Sequence, residues 1–88
     1  MINLNSVLIE GTVKQTQVQQ GSFNISLSVL RSSTTDKEDV FCVRTTGVIA
    51  ERCEDWCKEG TQMRVVGRLQ QTDNGVVVFA EHVEFKHR

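Results

Sequence analysis

The chain has 88 residues, 10 Lys plus Arg against 11 Asp plus Glu, and a formal net charge of −1. That length is a single domain over 1–88 with a small core, too short for an enzyme with a separate substrate domain, and the near-neutral balance excludes a histone-like polycation while leaving room for a local basic face. Hydrophobic residues make up 39% and charged residues 24%, the balance of a folded chain and not of a disordered one. No run approaches the about 20 apolar residues of a membrane span. Met1 to Gly11 has no basic leader, apolar run or cleavage site, so the expectation is an unprocessed, cytoplasmic protein with no membrane partner and its three Cys reduced.

Val7 and Ile9 fall on one face of a first strand that reaches about Val13, or further if bent. Gln15, Gln17, Gln19 and Gln20 follow as a polar stretch, and Gly21-Ser22 ends it as a turn. In the second strand Phe23, Ile25, Leu27 and Val29 point one way, and Asn24, Ser26 and Ser28 the other. That is a half-buried antiparallel strand with one solvated or ligand-facing side. Ser32 to Asp39 is a polar loop. A third strand runs from about Val40 to Thr46, with Phe41, Val43 and Thr45 on one face and Cys42, Arg44 and Thr46 on the other.

Gly47 breaks that strand, and Val48 to Lys58 is the one helix. Ile49, Cys53 and Trp56 form its apolar stripe, which makes Trp56 and Cys53 core residues. Gly60 stands where a left-handed cap ends the helix. Met63, Val65 and Leu69 alternate with Arg64, Val66 and Arg68 in a fourth strand. Asp73-Asn74-Gly75 is the signature of a tight type I′ hairpin. Val76 to Phe85 is the fifth strand, with Val77, Phe79, Val83 and Phe85 on one parity.

The order β-β-β-α-β-β is that of the OB-fold, a mainly β, five-stranded Greek-key barrel with one short helix between strands 3 and 4; other small α+β folds share it. The chain carries no Gly-rich phosphate loop, no Ser-His-Asp context and no metal-spaced Cys/His set, so neither an enzyme nor a metal or cofactor site is expected. His82 and His87 read as surface residues. Cys53 and Cys57 could form a soft metal pair, though Cys53 reads as core; Cys42, on the polar parity, reads as a more exposed thiol. The informative signal is charge. Lys14, Arg31, Arg44, Arg64 and Arg68 lie on or beside strands, whereas Glu51, Glu54, Asp55 and Glu59 gather on and after the helix. Arginines among Ser, Thr and Asn on a sheet suit phosphate tracking; the alternative is a solvated surface of mixed charge.

Several blocks resemble the bacterial single-stranded-DNA-binding protein family. They are Leu4–Val13 (Leu-Asn-Ser-Val-Leu-Ile-Glu-Gly-Thr-Val), Asn24–Ser28 (Asn-Ile-Ser-Leu-Ser), Thr46–Glu51 (Thr-Gly-Val-Ile-Ala-Glu) and Lys58–Leu69 (Lys-Glu-Gly-Thr-Gln-Met-Arg-Val-Val-Gly-Arg-Leu). The last two are the most specific. Val76–Phe85 is similar to the final strand of primosomal replication protein B, a dimeric member of the same fold group. The resemblance implies an OB-fold, binding of single-stranded DNA without sequence preference in replication, recombination or repair, and a homo-oligomer, tetramer or dimer. Replication or recombination proteins are its implied further partners.

The chain departs from that family where the family stacks bases. Ser33, Val40 and Thr46 stand at its aromatic positions, Ser6 replaces a basic residue, and the long basic hairpin is cut to Asp73-Asn74-Gly75. The acidic tip that recruits partners in the family has no counterpart before Arg88. The expected nucleic-acid contacts are therefore Lys14, Arg31, Arg44, Lys58, Arg64 and Arg68, where Lys58 matches a basic position at the helix end. The alternative expectation is an interaction module of the same fold with weak or no DNA binding.

Overall fold

The computed structural model describes residues 3–86, so Ile2 and His87 lie outside the described residues. The strands are β1 (Val7–Gln19), β2 (Ser22–Leu30), β3 (Glu38–Thr46), β4 (Gln62–Thr72) and β5 (Gly75–Phe85), with helix α1 (Gly47–Trp56) between β3 and β4. They close into a barrel in the order β1-β2-β3-β5-β4. All neighbours are antiparallel except β3 and β5, which run parallel. This is the OB-fold that the element order implied. No described helix is long and apolar enough to cross a membrane.

Closure depends on β1 bending between two partners. Its first half pairs with β4, from Val7 opposite Gly67 to Thr12 opposite Gln62. Its second half pairs with β2, and the register slips at Lys14, between Val13 and Gln15. A bulge of this kind adds one residue and sharpens the strand's bend, which carries the strand on through the glutamines to Gln19. Near the crossing the backbones come very close. A Cβ on Gly11 would lie 2.1 Å from the carbonyl oxygen of Ser28, so only glycine fits.

The core follows the alternation of β2. Phe23, Ile25 and Leu27 are buried, and they meet Val13, Val43, Met63, Val65, Val78, Ala80 and Val83 inside the barrel. The buried Thr45 hydroxyl donates to the Phe23 carbonyl at 2.7 Å, so its polar atom is satisfied. Helix α1 packs against β2, β3 and β5.

Several expectations need correction. Trp56 is 58% exposed and is not a core plug; the helix instead buries Ala50 and Cys53. The helix stops at Trp56, and the extended backbone of Cys57 sends that side chain inward, where its thiol donates to the Met63 sulfur at 3.7 Å. Gly60 does take φ +93, but in the loop after the helix, where its N–H donates to the Val13 carbonyl. Phe41 and Leu69, expected to share a face with buried residues, are exposed. The hairpin after Thr72 is tight, but only Gly75 has positive φ there, so it is not the type I′ turn.

The most consequential correction is in β5. Val66 pairs with His82 and Gly67 with Ala80, which leaves Glu81 as a bulge. Parity changes across it. Val83 is buried beyond the bulge, as expected, but before it Val78 and Ala80 are the buried residues. Val77 and Phe79 therefore turn outward.

Candidate nucleic-acid interface

The register aligns one row of outward side chains across all five strands. Gln17 of β1 stands opposite Asn24 of β2, and Asn24 opposite Arg44 of β3. Arg44 stands beside Phe79 of β5, and Phe79 opposite Arg68 of β4. The Arg68 guanidinium lies 5.3 Å from the centroid of the Phe79 ring, within cation–π range. The next row begins Gln15, Ser26, Cys42. Between β1 and the β4–β5 hairpin these side chains line a groove of about 430 Å³, with Arg44 in its wall.

The six cations expected from the sequence do not form one face. Arg44 and Arg68 share the row, and neither forms an ion pair with a described residue. Lys58 is exposed beyond the helix, and its backbone N–H donates to the Thr61 hydroxyl. The other three are held by carboxylates. Lys14 lies 3.3 Å from Glu38, which also accepts from the Ser28 hydroxyl. These contacts, Ser28 first, hold the Glu38 carboxyl below its usual range. Arg31 meets both oxygens of Asp39, at 2.9 to 3.3 Å. That fork lowers the Asp39 pKa and raises that of Arg31.

Arg64 lies on β4 between Glu10 of β1 and Glu84 of β5, at 3.0 and 3.8 Å. Lys86 reaches the other oxygen of Glu10 at 2.6 Å, and His82 lies 3.2 Å from Glu84. The hydrogen bonds from Lys86 and then Arg64 pull the Glu10 carboxyl down. This is a ladder of alternating charge, neutralised within the sheet.

Phe79 is the residue that sequence reasoning missed for this face. Val76 to Phe79 is apolar on both parities, so alternation could not say which residues turn outward; the bulge decides it. The cysteines offer little chemistry. Cys53 and Cys57 are buried, and Cys57 is held strongly protonated by its neighbour Cys53 and by burial. Cys42 is exposed, but desolvation raises its thiol against the opposing pull of Arg44. Among the described residues no three His, Cys, Asp or Glu side chains gather as metal ligands would.

A closed five-stranded barrel with one helix between β3 and β4 has the OB architecture, and solved structures share that fold. The chain superposes on a small single-stranded DNA binding protein from Mycoplasma pneumoniae with a TM-score of 0.78, 18% identity and 93% of each chain covered. It also superposes on the dimeric N-terminal domain of the PriB protein from Thermoanaerobacter tencongensis, with a TM-score of 0.73, 23% identity and 96% and 98% coverage. A third match is the Plasmodium falciparum SSB in complex with ssDNA, at 0.74, 17% identity and 99% and 98% coverage. No family model and no curated protein matches the sequence. What the chain shares with small SSB and PriB proteins is thus the whole barrel, at low identity.

Proposed function

We propose that this chain binds single-stranded DNA across the row Gln17–Asn24–Arg44–Phe79–Arg68. The observation that carries the reading is the placement of two arginines, held by no described carboxylate, on either side of an outward aromatic. Arg44 and Arg68, with Lys58 at the periphery, supply the positive charge that draws in the strand's phosphates. The Phe79–Arg68 pair supplies a flat surface on which a base can stack. The strand-binding neighbours with the same barrel support the reading.

A role in replication, recombination or repair rests on the sequence resemblance and belongs to the same proposal, as do the cytoplasmic location and the lack of catalysis expected from the sequence. So does a homo-oligomer. Leu4 and Leu8 are exposed at and before the start of β1, and the matched PriB domain is dimeric. Multi-angle light scattering should give a dimer or tetramer mass; a monomer sinks that part.

Fluorescence anisotropy of a labelled oligo-dT strand tests the binding. The three proposed contacts Arg44, Arg68 and Lys58 predict a log–log salt slope of about −2 for a single strand. No binding at low salt would overturn the proposal. It would favour the interaction-module reading, for which Val48 and Trp56 on the acidic helix are the exposed apolar contacts.

A further inference from the structure

We infer that the groove beside Arg44 reads the edge of a single guanine, so that strand binding is not indifferent to sequence. The inference rests on the strand-binding reading above and adds base selection to it. Its ground is the chemistry of the groove wall. Five amide side chains, Gln15, Gln17, Gln19, Asn24 and Asn74, surround one cation, Arg44. A wall built for phosphates would be rich in cations. Amides carry no charge to exchange for counterions, and each offers a donor and an acceptor, the currency of base edges.

Two buried polar atoms of the lining residues have no partner among the described residues. Asn24 donates its Nδ2 to Gln19 Oε1 at 2.9 Å, while its Oδ1 is buried and unpaired. Arg44 Nε is likewise buried without an acceptor. The two residues are cross-strand partners, so a donor and an acceptor lack partners side by side. Such deficits are costly, and a ligand that supplies both complements, met by a small side-chain rotation, removes them. Guanine presents N7 and O6 as adjacent acceptors for the guanidinium fork, with the N1–H donor next to O6 for Asn24 Oδ1. Adenine and cytosine carry an amino group where guanine has O6, and thymine lacks the N7 acceptor.

The test is competition anisotropy with an oligo-dT strand carrying one central dG, dA or dC, or none. The dG strand should bind tightest, by roughly fivefold to a hundredfold. Asn24→Ala should level that ranking, and so should Arg44→Lys, which keeps the charge but loses the fork. Circular dichroism would verify that both variants are folded. Equal affinity for all four strands, or a ranking led by another base, overturns the inference while strand binding stands. Failure of every strand to bind overturns both. A guanine advantage that survives Asn24→Ala also overturns it, because the selection would then come from elsewhere.

Discussion

Two rows of side chains cross the outside of the same barrel, and both contain arginine. In one, Arg64 stands between Glu10 and Glu84, with Lys86 closing on the far oxygen of Glu10. In the other, Arg44 and Arg68 stand beside Phe79 with no carboxylate between them. The first row spends its charge internally; the second presents it to solvent. The lesson is that a basic residue on a strand is available to a polyanion only when the register places no acid beside it. Four residues from Arg68 along the same strand, Arg64 is part of the scaffold.

The comparison breaks most readily at the second row. The double variant Arg44→Ala/Arg68→Ala should weaken oligo-dT binding at low salt by on the order of a hundredfold, because charge-assisted contacts are the strong ones. Anisotropy at matched ionic strength measures it. Phe79→Ala comes next, expected to lose about 1–3 kcal/mol of stacking for one base, together with the support under Arg68. Phe79→Tyr should retain most of the affinity, and an unchanged Phe79→Ala would remove the stacking role.

Arg64→Gln sharpens the contrast from the other side. Its guanidinium is already paired, so binding should change by less than roughly twofold. A loss as large as that of Arg44→Ala would mean that the ladder opens to DNA. The smallest effect is the pH dependence of folding. Glu10, Glu38 and Asp39 all have lowered folded pKa values. Their contribution is present above the unfolded values and is lost as pH falls through the folded ones. Thermal melts should therefore be flat from neutral pH down to about 5 and decline below about 4, modestly, since these groups face water. Glu10→Gln should remove part of that decline.

Much of the fold was legible in the sequence. The strict alternation of β2, Gly47 at the strand-to-helix junction and the Asp73-Asn74-Gly75 turn place the elements in the right order, because each is a local signal. The proposed interface was legible in part. Arg44 and Arg68 were among the six cations expected from the sequence, and the register places both on the outward row. Phe79 was not, because one extra residue, Glu81, resets the parity of β5, and nothing local in an apolar run marks a bulge. The sequestration of Lys14, Arg31 and Arg64 was also out of reach. Glu10 and Arg64 are 54 residues apart in the chain, and only the closed barrel brings them together. Trp56 misled for a related reason. The helix ends at that residue, so the periodicity that would carry it inward is interrupted there, and Cys57 takes the inner position.

The parallel pairing of β3 with β5 joins the ring at only two registered positions, Val43 with Val78 and Arg44 with Phe79. It is the shortest of the five ladders, and the proposed strand-binding row runs directly over it. Such a seam is where the cylinder should breathe: whichever of the Val78 and Phe79 amides points to β3 should exchange with solvent faster than those in the middle of the β1–β2 ladder. A nucleic-acid strand lying across it would act as a clasp. Binding would then register as slowed exchange along this seam, with the rest of the barrel wall little changed.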